Sequence, residues 1–517
     1  MTTQFLSLQQ TNQFSSLFLD YIQQKDTLAP FYTTFPTLDN FGKILQSRAF
    51  DVSKREALHQ VVKEQYTGYS SDIVQKQIDS LLQPNTFTVT TGHQLNIFSG
   101  PLYVIYKLVT TINLAKQLQE KYPDYHFVPV YWMATEDHDF EEISYFNLFG
   151  KKYTWETTQT GAVGRMNPTE IQTVLDQLSD KFPVFEKAYL TYQTLADATR
   201  CWVTDLFGDQ GLLCIDADHP TLKGEFRQAI KADIFDQVTQ TVVNQTSEKL
   251  EELGYKTQVN ARDSNFFYLD HSMRERIVHN HGRFRVLNTE LSFSKEEVSQ
   301  MIDRHPEHFS PNVLLRPVYQ ETILPNLAYI GGPAEVAYWL QLKDLFDKLE
   351  TPFPIVMPRN FALILNESTQ KKLDKTGLTV VDLFTDEVSL KRKYVEKTVG
   401  EPISLFTEIQ DLTSLFDRVV QKAVTLDKSL EGFVGAEKQK AKTSLENIEK
   451  RLRKAEEQKQ ETGIQQVLTL KNKLFPGGSL QERTDNMLNF YANNPEFIHT
   501  LLQQFDPLRF EFQIITG

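Results

Sequence analysis

Between Phe87 and Ile143 the chain reads strand, loop, helix, strand, acidic loop, and that order leaves few folds open. Phe87 and Val89 begin a short β-favouring run, and Thr90-Thr91-Gly92-His93-Gln94 reads as a small-residue turn. Ser99-Gly100-Pro101 then leads into an apolar helix spanning Leu102 to Leu118. Ser99 or Gly100 suits the N-cap, and Pro101 suits the first turn, where its missing N–H has no helical partner to lose. Phe127 to Ala134 reads as a buried strand with Pro129 early in it, where a missing donor is tolerated. That strand empties into Thr135-Glu136-Asp137-His138-Asp139-Phe140-Glu141-Glu142. Ligands of open α/β sheets bind outside the carboxyl ends of the strands, so both polar loops are expected to face one crevice.

The pattern repeats further along. Gly211 to Ile215 is a second apolar run that ends in carboxylates, Asp216-Ala217-Asp218-His219-Pro220. Helix is expected from about Leu222 to Leu250, and strand-like pieces at Asn265 to Leu269 and Arg283 to Leu287. Aromatic and polar residues alternate over 143–160, as in a hairpin turned at Gly150-Lys151. Leu315-Arg316-Pro317 opens a block that reaches Tyr329-Ile330-Gly331-Gly332-Pro333, where Pro333 starts another helix. Gly-Pro helix starts thus occur at Gly100-Pro101 and Gly332-Pro333, and free N–H groups at such starts bind carboxylate or phosphate oxygens. Strand is expected again at 354–359 and 361–365. Residues 1–85 read as helical, with Ala57, Ile73 and Leu82 among the positions expected in the core.

From Leu405, Ile409, Leu412, Phe416, Val419, Ala423, Leu426, Leu430 and Phe433 follow alternating steps of four and three, a coiled-coil seam interrupted by Gly432 and Gly435. Ala441, Leu445, Ile448, Leu452 and Ala455 form a second seam that folds back on the first. Leu474 to Arg483 then returns the chain to the main body.

At 517 residues the chain is too long for one compact core. A formal charge of −13 weighs against extended nucleic-acid or anionic-membrane surfaces, which need concentrated basic charge. No apolar run is long enough to span a bilayer, and Met1 to Phe5 lacks the basic start of a signal peptide, so a cytoplasmic protein is expected. Two cysteines, Cys201 and Cys214, argue against a disulfide framework.

The acidic loop carries two chemical readings and a bland one. Glu136 and Asp137 suit a hard cation such as Mg²⁺, with nucleotide phosphates completing its shell. Alternatively, His138 among Asp137 and Asp139 has its charged form favoured and handles a proton near neutral pH. The bland reading is a solvated acidic loop. His93 beside Gly92 can donate a proton or orient a phosphate, and Lys107, Arg316 and Arg359 are anion-clamp candidates. Neither a phosphate-binding Walker loop nor a G-x-G-x-x-G fingerprint is present.

Thr90-Thr91-Gly92-His93-Gln94, Ser99-Gly100-Pro101-Leu102-Tyr103, Val130-Tyr131-Trp132 with Glu136 to Phe140, Leu315-Arg316-Pro317, Tyr329 to Glu335 and Leu480-Gln481-Glu482-Arg483 occur in this order along essentially the whole chain. Together they resemble the cysteine-adding enzyme family of bacillithiol biosynthesis. The resemblance implies an α/β fold: a Rossmann-type, nucleotidyltransferase-like core with connecting insertions, plus an antiparallel α-helical coiled coil that supports homodimers. It implies N-terminal helices and the first part of the core at 1–149, a connecting insertion and further core elements at 150–312, and the second part of the core at 313–390. The coiled coil then occupies 391–475, and 476–517 returns to the core.

The implied reaction joins cysteine to glucosaminyl-malate through an activated carboxyl, with ATP or another nucleotide and Mg²⁺ as cosubstrate and cofactor. Asp137, His138, Asp139 and His93 are the implied catalytic groups. Gly92, Gln94, Ser99, Gly100, Lys107, Trp132, Arg316, Tyr329, Gly331, Gly332, Glu335 and Arg359 are the implied binding residues. Phosphates are assigned to the Gly100 start and the malate moiety to Arg316, Tyr329 and the Gly331-Gly332 start. Two rivals stand beside this reading. One is a nucleotidyltransferase or metal-dependent hydrolase using the same acidic loop, and the other is a non-catalytic coiled-coil scaffold with a metabolite-binding core.

Overall fold

A computed structural model describes residues 2–69, 71–399 and 404–517. In chain order the strands are β1 (Thr2–Ser7), β2 (Thr86–His93), β3 (His126–Met133), β4 (Tyr145–Leu148), β5 (Lys151–Thr154), β6 (Leu213–Asp216), β7 (Phe266–Leu269) and β8 (Arg274–Asn280). They continue with β9 (Arg283–Val286), β10 (Ser292–Phe293), β11 (Phe309–Pro311), β12 (Asn326–Gly331), β13 (Ile355–Pro358), β14 (Phe361–Leu365) and β15 (Glu511–Thr516). The central sheet has the order β13-β12-β2-β3-β6, and every pairing in it is parallel.

β2 occupies the middle of that sheet and runs unbroken through Gly92 to His93, so the stretch read as a turn is the carboxyl half of a strand. Thr91 pairs with Ile330 on one side and His93 with Met133 on the other. Two ladders formed at once outweigh the weak turn preference of Thr and Gly. The threonines are also held by side-chain bonds: Thr90 Oγ donates to Asn326 Oδ1 (2.8 Å) and Thr91 Oγ to the Ile330 carbonyl (2.8 Å). β3 tolerates Pro129 because β6 pairs with it only from Val130 to Met133. The helix Tyr103–Lys121 crosses between β2 and β3 and is buried from Val104 to Ala115, Lys107 and Asn113 included.

A second, antiparallel sheet, β10-β9-β8-β7-β11, lies beyond β6 in the chain. β4 and β5 form the expected hairpin, but its turn residues are Phe149 and Gly150, both at positive φ (50° and 79°), one position earlier than expected. This is the geometry that matches strand twist in a two-residue turn. The helix expected over 222–250 is three, Pro220–Gly224, Arg227–Asp236 and Val238–Glu252, with Gln237 in the left-handed region between the last two. Near the N-terminus, β1 pairs with β15 in a three-stranded sheet completed by β14, where only helices were expected. Ile73 and Leu82 are exposed rather than in the core, and Ala57 is half-buried.

At Arg359-Asn360 the chain leaves the parallel sheet after β13 and enters the three-stranded sheet as β14. The coiled coil is formed by the helices Phe406–Leu426 and Leu430–Lys459. The Glu449 carboxylate accepts the Leu405 N–H (2.9 Å), and Lys438 pairs with Asp417 (2.5 Å), contacts that fix an antiparallel register. The turn is Asp427–Ser429, so Leu430 and Phe433 belong to the second helix and Gly432 and Gly435 lie within it instead of interrupting the seam. No described residue of these two helices is buried, and Phe406, Leu415, Leu426, Phe433, Ile448 and Leu452 are exposed. Among the described residues, no helix is long and apolar enough to cross a membrane.

Candidate functional site

The carboxyl ends of β2, β3, β6 and β12 open into a cavity of about 520 Å³. Gly92, His93, Gln94, Trp132, Glu136, Asp137, Arg316, Tyr329 and Glu335 line it, so the two polar loops do face one crevice. The antiparallel sheet closes the far side through Phe267, Arg274 and Pro311. A larger cavity of about 840 Å³ lies elsewhere, between the β4–β5 turn, the helix Glu461–Leu474 and the C-terminal segment, and none of the candidate catalytic or binding residues lines it.

Lys107 reaches this site from the buried helix. Its Nζ donates to the Gly92 carbonyl (2.7 Å) and pairs with Glu335 Oε1 (2.6 Å). Glu335 also accepts the Tyr329 hydroxyl (2.6 Å) and the Gly332 N–H (3.0 Å). Burial alone raises a carboxyl's pKa, but Lys107 and these donors hold Glu335 below its ordinary value. The second Gly-Pro start is therefore built as expected, with Gly332 as N-cap and Pro333 first in the helix, yet its open N–H is satisfied by the protein's own carboxylate.

Arg316 stands beside this pair, on the helix Leu315–Ile323. It donates to Gln320 Oε1 (3.1 Å), Tyr338 Oη (3.2 Å) and Tyr329 Oη (3.4 Å), and among the described residues no carboxylate lies within ion-pairing distance of it. A Cβ on Gly92 would meet the Arg316 guanidinium at 3.3 Å and the Tyr329 hydroxyl at 3.4 Å, so glycine there keeps room for these groups. His93 lies at the end of β2, its ring edge-on to Tyr103 (5.3 Å). Burial, with the Lys107 charge adding to it, pushes the imidazole down to about 3, so it is neutral near pH 7; its Nε2 is buried without a hydrogen-bond partner.

On the acidic loop, Asp137 Oδ2 accepts Gln94 Nε2 (2.7 Å), while Oδ1 accepts the N–H groups of His138 (2.8 Å) and Asp139 (3.3 Å). Arg274 Nη1 contacts His138 Nδ1 at 2.8 Å, and a guanidinium can only donate. Nδ1 must therefore carry a lone pair, which fixes His138 as a neutral imidazole with its proton on Nε2. Burial and then the Arg274 charge lower its pKa, the reverse of the expectation that neighbouring carboxylates favour the charged form. His138 and Asp139 are exposed and do not line the cavity. Glu136 is paired with Lys223, whose Nζ also donates to the Phe309 carbonyl (2.8 Å). Burial pushes the Glu136 carboxyl up to about 7, with Lys223 opposing.

These contacts give the two carboxylates separate partners. Glu136 and Asp137 face different partners, and among the described residues no three His, Cys, Asp or Glu side chains stand together as ligands. Ser99 and Gly100 lie away from the cavity. Both have positive φ (68° and 61°), Asn486 Nδ2 donates to the Gly100 carbonyl (2.7 Å), and the Leu102 N–H is taken by the Asp485 carbonyl (2.7 Å). Pro101 precedes the helix, which begins at Tyr103, and the Val104 N–H is taken by the Pro101 carbonyl (3.0 Å). Gly331 and Gly332 do not line the cavity either, and Arg359 is committed to Glu482 (2.6 Å) and to its own neighbour's carbonyl.

Lys223 and Arg274 are the site residues that sequence reasoning missed. Lys223 does follow the carboxylate run Asp216 to Asp218, but nothing near it in sequence announces that it reaches across to Glu136.

A parallel sheet with its cavity at the strand carboxyl ends, followed by an antiparallel two-helix coiled coil, defines a Rossmann-like protein with a C-terminal coiled-coil domain. Family models match both parts: "Bacillithiol biosynthesis BshC, N-terminal Rossmann-like domain" over residues 1–360 and "Bacillithiol biosynthesis BshC, C-terminal coiled-coil domain" over 362–517. The chain belongs to the BshC family of bacillithiol biosynthesis. It is 44% identical over 510 residues to a Cytophaga hutchinsonii protein, covering 98% of each chain, and 44% identical over 530 residues to one of Flavobacterium johnsoniae, covering 100% of each. A Salinibacter ruber relative is 32% identical over 507 residues, covering 93% of this chain and 92% of its own. All three carry the name "Putative cysteine ligase BshC".

Proposed function

We propose that this protein forms the amide between the carboxyl of cysteine and the amine of glucosaminyl-malate, yielding bacillithiol in the cytoplasm. The observation that carries the reading is Arg316, a guanidinium facing the cavity among tyrosine hydroxyls with no described carboxylate within ion-pairing distance of it. A bidentate donor in such a place suits a substrate carboxylate, and malate supplies two. Trp132 and Tyr329 wall the cavity with aromatic surface, and neutral His93 offers a ring nitrogen to a substrate hydroxyl or amide.

A free carboxylate is a poor acyl donor, so the cysteine carboxyl must be activated; a nucleotide is the cosubstrate we propose, and no residue is assigned to its phosphates. Arg316→Ala should weaken glucosaminyl-malate binding by about 1.5–3 kcal/mol, the worth of a hydrogen bond to a charged group. Titration calorimetry measures this. In cells, loss of the gene should empty the bacillithiol pool, the wild-type gene should restore it, and an unchanged thiol pool after deletion would reject the reaction.

The coiled coil is proposed to hold a homodimer, because exposed seam residues such as Val419, Leu426, Ile448 and Leu452 leave apolar surface that a second copy can cover. Leu412→Asp with Val419→Asp should give monomers by light scattering with the core's melting unchanged. A wild type that is already monomeric at micromolar concentration counts against the dimer.

A further inference from the structure

The two ends of the cavity differ in charge. At one end Arg316 and Lys107 are set against the single carboxylate of Glu335. Around the other stand the carboxylates Glu136, Asp137, Asp216 and Asp218, with Lys223, Arg165 and Arg274 beside them and Arg200 also acting on Asp216. Arg165 grips Asp218 with two nitrogens (2.7 and 2.9 Å). Arg274 spends its donors on Ser310, the Pro311 carbonyl and His138, and reaches Asp137 only at 3.9 Å. Asp216 accepts the Thr135 hydroxyl. Of the four carboxylates only Glu136 and Asp137 line the cavity. The oxygens of Asp137 are filled by Gln94 and two backbone N–H groups, whereas Lys223 is the one described donor to Glu136.

We infer that this acidic end receives the ammonium group of the acceptor substrate rather than a divalent metal, with Lys223 the positioning residue that holds Glu136 toward it. The acceptor then lies with its amine at Glu136 and its malate carboxylates at Arg316. The inference rests on the substrate assignment made above. A divalent cation held by one or two carboxylates needs their oxygens free for it, and here the Asp137 oxygens accept Gln94 and two backbone N–H groups while the Lys223 ammonium already sits against Glu136. An organic ammonium carries one charge and three N–H donors, one of which can take a lone pair that a carboxylate bonded by one lysine retains. Tyr319, 5.1 Å from Lys223 Nζ, and the Phe309 carbonyl fix the lysine and therefore the carboxylate.

The test is titration calorimetry on the full-length protein with glucosaminyl-malate and with its N-acetyl derivative, which keeps both carboxylates and loses the positive charge. Each is measured in EDTA and in Mg²⁺, and Mg²⁺ is also titrated alone. The wild type should prefer the amine by about tenfold or more in either medium, the scale of one charge-assisted hydrogen bond. Glu136→Gln should erase that preference and leave binding of the N-acetyl ligand within about twofold, since the Arg316 end is untouched. Lys223→Met should reduce the preference and Lys223→Arg restore much of it; Glu136→Gln decides the matter should Lys223→Met not fold.

Equal affinities of the wild type for the two ligands, or a preference that survives Glu136→Gln, would overturn the ammonium site while leaving the substrate assignment standing. Mg²⁺ binding that disappears in Glu136→Gln would overturn it in favour of a metal. Failure of the wild type to bind either ligand would overturn the substrate assignment and this inference together.

Discussion

Two helices of nearly equal length have opposite lives in this molecule. Tyr103–Lys121, of 19 residues, buries thirteen of them between the parallel sheet and its covering elements, while Phe406–Leu426, of 21 residues, buries none. The coiled-coil helix has the cleaner repeat, since it needs one stripe for one neighbour. The core helix is buried on all sides from Val104 to Ala115 and so shows no single apolar stripe there. The contrast teaches that regular periodicity marks a helix with one partner, whereas a polar residue inside an irregular apolar run marks a site: Lys107 is buried at a cost that its bonds to Gly92 and Glu335 offset.

Breaking charge pairs in the two regions should separate them most sharply. The buried Arg359–Glu482 pair ties the return segment to the β13–β14 junction, and Glu482 also accepts the Ala362 N–H (3.3 Å). Glu482→Ala strands a buried guanidinium and should cost about 3–5 kcal/mol in denaturant unfolding.

A smaller effect is expected at Glu321, buried at the opposite end of the sheet from the cavity. Gln320 and Asn326 donate to its Oε1 (2.8 and 2.7 Å), its Oε2 has no partner, and burial pushes its carboxyl up to about 7, with Arg48 opposing. Because the folded chain holds this proton to higher pH than the unfolded chain, stability is lost as pH rises from near 4.5 through about 7. Glu321→Gln should therefore gain roughly 1–3 kcal/mol over the parent between pH 5 and pH 8. Thermal melts of both proteins across that range would show the slope, and parallel curves would contradict it.

The smallest effect belongs to the coiled coil. Asp417, exposed and paired with Lys438, should cost about 0.2–1 kcal/mol when changed to Ala. A loss there as large as at Glu482 would erase the contrast between the two regions.

Much of the fold is legible in the sequence. The buried strand expected over Phe127–Ala134 is β3 within one residue at each end, the Gly332-Pro333 start opens a helix, and the seam residues lie on coiled-coil helices. The misreadings share a cause. Thr90 to His93 continue β2 because strands on both sides pair with them, and the turn at Asp427–Ser429 is hidden by a heptad spacing that continues across it. Of the candidate site, Gly92, His93, Gln94, Glu136, Asp137 and Arg316 were visible as polar residues at the ends of apolar runs, and they do line one cavity. Lys223 and Arg274 were not visible, and the closure of the Ser99-Gly100 corner could not have been.

The sequence by itself determined many of the strands and helices, and that polar loops gather at the strand carboxyl ends, because burial imprints itself on local spacing. Only the tertiary structure decided which charges meet. Arg274 finds His138 across 136 positions, Arg359 finds Glu482 across 123, and Asn486 covers the corner at Phe98 across 388. An ion pair or hydrogen bond depends on distance in space and leaves no period in the chain. The same acidic loop read in sequence as a metal site, an acid/base site or a solvated loop, and the partners the fold gives it, Gln94 for Asp137 and Lys223 for Glu136, lie far away in the chain.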